Sequence, residues 1–113
     1  SANSGYEAGR YLAEHDRTMT AIYAANDQMA NGAIAALRDS GLRVPEDVSV
    51  VGVDDSLGDI VPDRRLTTVR FDNKRVGMWA VDKIAGAEGA APGVEHMLFP
   101  GVLVEGDTVR DVR

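Results

Sequence analysis

Two polar clusters hold the residues best placed to do chemistry, Asn26-Asp27 and Asp54-Asp55, each directly after a run of apolar residues. A primary amide such as Asn26 can both donate and accept toward a hydroxylated ligand, while Asn and Asp are also favoured helix N-caps. Asp27 reads first as the cap; Asn26 is open to either role. Two neighbouring carboxylates suggest a catalytic pair, but successive residues of an extended chain point to opposite faces and cannot share a proton. One of Asp54 and Asp55 therefore faces a cleft, unless both only shape a turn. His15 and His96 lie far apart without H-x-x-x-H spacing, the chain has no cysteine, and Asp54, Asp55 and Asp59 do not match a calcium loop. No nucleophile elbow, P-loop or G-x-G-x-x-G stretch occurs, and the glycines of residues 86–93 follow a helical pattern instead of opening one. Neither a catalytic residue, a metal nor a cofactor is indicated.

The elements that must position these clusters follow from hydrophobic spacing. Tyr6, Gly9, Leu12 and Ala13 share one face of a helix over residues 5–15. Residues 18–25 form a compact apolar run that fits a buried parallel strand. Met29, Ala30, Ala33, Ile34 and Leu37 make a helical stripe over about residues 28–40, stopped by Ser40-Gly41. Val48 to Val53 is rich in β-branched residues and reads as a strand covered on both faces, and residues 66–71 as another short strand. Between them residues 54–65 form a polar loop with one helical turn near residues 57–61. Val76, Gly77, Ala80, Val81 and Ile84 resume helical spacing, with Trp79 beside that stripe. The final strand pattern, residues 95–104, is broken by Pro100-Gly101 and so belongs at an edge, and the charged tail beyond it reads as frayed. Alternating strand and helix predicts an α/β fold with a mostly parallel sheet flanked by helices on both faces. Ligands of such sheets bind beyond the carboxyl ends of the strands, where both polar clusters fall.

With 113 residues there is room for one domain, and no apolar run approaches the roughly 18 residues of a membrane span. The formal net charge of −6 lacks the basic footprint of a nucleic-acid-binding surface, so direct contact of this stretch with DNA is not expected. The chain opens Ser1-Ala2-Asn3, with neither an initiator Met nor a signal sequence, and reads as part of something longer.

Three stretches together resemble one family. TAIYAANDQMANGAIAALRDSGLRVPEDVSVVGVDD (residues 20–55), followed by LTTVR (residues 66–70) and preceded by SANSGYEAG, is similar to the effector-binding module of the lactose-repressor/galactose-repressor (LacI/GalR) transcription regulators. The resemblance spans roughly residues 4–104 and implies part of a two-subdomain, type I periplasmic-binding-protein-like fold. Residues 1–72 and 95–105 would belong to the C-terminal subdomain, the helix at 73–86 to an N-terminal subdomain otherwise lying upstream, and 106–113 would be a frayed tail. It further implies a cytoplasmic, dimeric regulator that binds a small-molecule effector, a sugar or similar metabolite, and reaches operator DNA only through a separate helix-turn-helix domain. Matched residue by residue, Asn26 and Asp54 correspond to effector-binding positions, Phe71 and Asn73 to positions lining the cleft near the hinge, and Leu57 and Ile60 to a dimer contact. Two departures stand out: Arg64-Arg65 replaces a pair of prolines, and Gly106-Asp107 interrupts the family's closing pattern.

A transport solute-binding protein shares this fold, but VPEDVSVVG and LTTV favour the regulator. A receiver domain would need a strand-end lysine, whereas Lys74 and Lys83 sit on one predicted helix.

Overall fold

The computed structural model describes residues 1–56, 65–87, 89 and 93–113. It divides into two compact units, Ser1–Arg70 with Leu103–Arg113, and Phe71–Val102.

In the first unit, helix α1 (Ala2–His15) begins three residues before the expected start, because Ser1 and Ser4 form a reciprocal capping box. Strand β1 (Ala21–Tyr23) leads into helix α2 (Asp27–Asp39), which is followed by β2 (Ser49–Val53), β3 (Thr67–Arg70) and β4 (Val102–Val104). The four strands form one sheet in the order β1-β2-β3-β4. β1 pairs parallel with β2, Ile22 opposite Val50, and β2 pairs parallel with β3, Val51 opposite Thr67. The α/β class with a mostly parallel sheet is as the sequence predicts.

The core forms where Ala30, Ile34 and Leu37 of α2 meet Val48, Val50 and Leu66, joined by Ala13 of α1 and Val44. α1 lies against α2 backbone to backbone. A Cβ on Gly5 would collide with the Met29 carbonyl, and one on Gly32 with the Ala2 carbonyl. Only glycine permits this approach.

Three expectations need correction. The strand expected to be buried at residues 18–25 is three residues long and lies at the sheet edge, with Tyr23 72% exposed. Side chains alternate along a strand, so Ile22 turns toward α2 while Ala21 and Tyr23 point to the other face. Next, α1 and α2 do not flank the sheet on opposite sides. The strands follow one another across it, so α2 covers the face of Val50, and α1 rests on α2. Finally, the tail is not frayed over its first half. β3 begins opposite Val51, so the Val50 N–H has no ladder partner on that side. Thr108 fills the gap: its carbonyl accepts from Val50 N–H (2.8 Å), its hydroxyl donates to Val50 O (2.7 Å), and the same hydroxyl accepts from Thr67 N–H (2.9 Å). Gly106 N–H donates to Thr67 Oγ1 and Arg110 N–H to Ser49 Oγ. Thr108 is consequently 1% exposed, although Glu105, Asp107 and the residues from Val109 onward are exposed.

The second unit is built on helix α3 (Asn73–Gly86), capped by Asp72, whose carboxylate accepts from Arg75 N–H. No residue of α3 is buried, and Ile84 is 77% exposed. Trp79 meets Phe99 edge-on at 6.1 Å between ring centroids, so it packs within this unit. The expected helical turn near residues 57–61 and the contact residues Leu57 and Ile60 lie outside the described residues.

Candidate functional site

The carboxyl ends of three adjacent parallel strands carry Asn26-Asp27 after β1, Asp54-Asp55-Ser56 after β2, and Arg70 at the end of β3. Asn26 and Asp54 are therefore brought to the same edge of one sheet. Phe71 and Asn73 fall in the second unit. There Phe71 is exposed, its carbonyl accepts from Asn73 N–H (2.9 Å), and Asn73 opens α3.

The roles of Asn26 and Asp27 are exchanged relative to the sequence expectation. Asn26 is the N-cap of α2: it has extended backbone, and its Oδ1 accepts from Met29 N–H at 2.9 Å. Capping uses only the oxygen of the amide. Its Nδ2 makes no hydrogen bond among the described residues, which leaves a two-proton donor at the sheet edge. Asp27, expected as the cap, is the first residue of the helix and only 2% exposed. Its Oδ1 accepts from Thr68 Oγ1 at 2.5 Å and its Oδ2 from Ser56 N–H at 2.9 Å. A buried carboxylate needs such donors, and it also gains from the amide dipoles at the helix start.

Beyond β2 the backbone turns through an unusual conformation. Asp54 has φ 110° and Asp55 φ 52°, a region that residues with a side chain visit at a cost, Asp less reluctantly than most. Three consecutive amides hold the turn. Asp54 N–H donates to Val69 O (2.9 Å), Asp55 N–H reaches Thr68 Oγ1 (3.4 Å), and Ser56 N–H donates to Asp27. The two carboxylates diverge. That of Asp55 is half-buried and pairs with Arg70 Nη1 at 3.2 Å, whereas that of Asp54 is exposed and accepts no hydrogen bond among the described residues. Among the described residues neither carboxylate accepts a hydrogen bond from a backbone amide two residues on. Among the described residues no group of three or more His, Cys, Asp or Glu could hold a metal ion.

The edge thus offers an amide donor and a carboxylate acceptor, both without partners among the described residues, after neighbouring strands and beside a buried layer of Asp27, Thr68 and the Ser56 amide. That complementarity suits a neutral, hydroxyl-rich ligand, whose OH groups donate to one and accept from the other. Thr68 and Ser56 were not singled out from sequence. The available signal was Thr67-Thr68 inside an apolar strand, since buried hydroxyls need partners.

Comparison with known proteins places the geometry in context. The periplasmic binding protein-like domain family matches residues 1–109. The lactose operon repressor of Escherichia coli (strain K12) is 36% identical over 108 residues, covering 96% of this chain and 30% of the repressor. The HTH-type transcriptional regulator MalR of Streptomyces coelicolor is 45% identical over 94 residues, covering 81% of this chain and 27% of that protein. Among solved structures, the lac repressor dimer bound to operator and the anti-inducer ONPF superposes with TM-score 0.81 at 38% identity, over 96% of this chain and 38% of that one. A LacI family transcriptional regulator from Arthrobacter sp. FB24 in complex with lactose gives TM-score 0.78 at 34% identity, over 97% of this chain and 42% of that one. The chain therefore spans less than a third of these two curated relatives, at 30% and 27%.

Proposed function

Because the chain belongs to the LacI/GalR family of transcriptional regulators and carries part of its periplasmic-binding-protein-like effector domain, we propose that it is the part that senses the effector. The ligand is a small neutral sugar or a similar hydroxyl-rich metabolite. The observation that carries this reading is the pairing at one sheet edge of a half-used amide, Asn26, with an exposed carboxylate, Asp54, that has no partner among the described residues. Asn26 Nδ2 donates to an effector hydroxyl and Asp54 accepts from another; for Phe71 and Asn73 a cleft role rests on the family resemblance alone. The lactose bound to the Arthrobacter regulator makes disaccharides the first candidates.

Effector binding then shifts the relative populations of two subdomain arrangements and so changes operator affinity. Operator contact is made by another part of the protein, a helix-turn-helix domain, a reading that the net charge of −6 in this stretch supports. The exposed face of α3 belongs with the other subdomain of the effector domain, and the protein works as a cytoplasmic dimer in which Leu57 and Ile60 contribute to the contact. It catalyses no reaction and needs no cofactor.

Isothermal titration of the complete protein with lactose and a panel of neutral mono- and disaccharides tests the site. A hydrogen bond to a charged acceptor contributes about 1.5–3 kcal/mol, so Asp54→Ala weakens the sugar that binds by about tenfold or more. Unchanged affinity in that variant removes Asp54 from the site, and no binding across the panel removes the sugar class.

A further inference from the structure

The free carboxylate of Asp54 is useful only if the turn that presents it is fixed, and that turn carries two successive residues at positive φ. Left to itself, such a segment would relax toward commoner backbone conformations and carry the carboxylate with it. Three amides in a row are held from one side. Two of the three acceptors are side-chain groups, Thr68 Oγ1 and Asp27 Oδ2, and these two side chains are bonded to each other. Asp27 is 2% exposed, so it cannot itself touch a ligand, and its neighbourhood is closely filled: a Cβ on Gly52 would run into its Oδ1.

We propose that Asp27 is a positioning residue, which with Thr68 clamps the Asp54–Ser56 turn to β3 and thereby sets the place and direction of the Asp54 carboxylate. Asp27 is suited to this because its two oxygens serve two different elements, the Thr68 hydroxyl on β3 and the Ser56 amide beyond β2. An uncharged asparagine can keep only one of these bonds, since its NH₂ group would face whichever donor the lost oxygen had served. A carboxylate at the start of a helix is also a better acceptor than a neutral amide. The inference deepens the effector-site reading, since clamping Asp54 matters for function only if Asp54 contacts ligand. The clamp itself can be observed without any ligand.

The test is amide hydrogen exchange of this chain followed by NMR, comparing Ser56 with Val50, a core amide bonded to Thr108 O. In Asp27→Asn the Ser56 amide exchanges about tenfold faster or more, while Val50 stays within about threefold of the parent. Thr68→Val, which keeps shape and removes the hydroxyl, speeds Asp55 and Ser56 in the same way, and Thr68→Ser restores both. Ser56 protection unchanged in a folded Asp27→Asn or Thr68→Val chain overturns the clamp. Equal acceleration of Ser56 and Val50, unrepaired by Thr68→Ser, assigns Asp27 to general stability and also overturns it. Should Asp27→Asn fail to fold, the Thr68 pair decides by the same criteria. With the sugar found by titration, Asp27→Asn weakens binding in the complete protein. Loss of Ser56 protection without loss of affinity would keep the clamp and refute Asp54 as the ligand contact.

Discussion

Thr108→Val replaces a buried hydroxyl by a methyl of nearly the same shape, in the part of the chain that sequence reading left loose. The Thr108 hydroxyl donates to Val50 O at 2.7 Å and accepts from Thr67 N–H at 2.9 Å, and the residue is 1% exposed. Valine fills the space, so no cavity term enters, and the backbone bond from Val50 N–H to residue 108 O is kept. What is lost is the partner of a buried amide and one of the partners of a carbonyl. A buried donor or acceptor left unsatisfied costs about 1–3 kcal/mol, and a carbonyl with a second lone pair sits at the low end of that range. The sum is about 2–4 kcal/mol, a large part of the stability of a domain this size. Urea unfolding followed by circular dichroism reads it as a lower midpoint at unchanged slope, and the thermal midpoint falls by roughly 4–8 °C for each kcal/mol. Thr108→Ser, which keeps the hydroxyl, recovers most of the loss. A change below about 0.5 kcal/mol in Thr108→Val would show that the tail is not anchored as described.

Asn26→Ala removes the cap of α2 and costs about 1 kcal/mol, whereas Asn26→Asp keeps the acceptor for Met29 N–H; in the effector reading both lose sugar affinity, so titration and unfolding together separate cap from contact. Gly32→Ala destabilises by about 1–3 kcal/mol despite the better helix propensity of alanine, because its Cβ meets the backbone of α1; Gly77→Ala on α3, with nothing within 4 Å, stabilises by about 0.5–1 kcal/mol, both read by thermal denaturation. The Arg43 guanidinium and backbone N–H hold the Asp47 carboxyl well below the usual carboxylate range. A depressed folded-state value means that this contribution is present above the unfolded value of about 4 and is lost as pH falls through the folded value. Asp47→Asn therefore lowers stability at neutral pH, and the difference from the parent shrinks under strong acid; a pH-independent difference in urea midpoint would contradict it.

Local pattern made most of the scaffold legible. The stripe from Met29 to Leu37 marks α2, and the β-branched run of residues 48–53 marks the central strand, because burial imposes periods of 3.6 and 2 that a single sequence carries. The clusters Asn26-Asp27 and Asp54-Asp55 are legible because polar residues directly after apolar strand runs mark the ligand-facing edge of a parallel sheet, while the choice of Asn26 and Asp54 within them rests on the family resemblance. The division of labour between Asn26 and Asp27 was not legible. Both types cap helices well, and what draws Asp27 inward is a hydroxyl 41 residues away. The anchoring of the tail was hidden for the same reason, since the carbonyl that fixes the Thr108 hydroxyl lies 58 residues away. Where a short strand leaves its neighbour's backbone unpaired, whatever segment returns there is held, however polar its composition. The divergence of Asp54 and Asp55 was anticipated from an extended chain but arises from two residues at positive φ, which composition does not announce.

Fluorescence anisotropy of operator DNA with the complete protein, titrated with the sugar that binds best, tests the central claim most directly. An effector-sensing role predicts that the sugar shifts operator affinity by about 5–150-fold, the usual range for linked sites, and that Asp54→Ala moves the response to about tenfold higher sugar while leaving sugar-free DNA binding intact. A sugar that binds with operator affinity unchanged at saturation would contradict it.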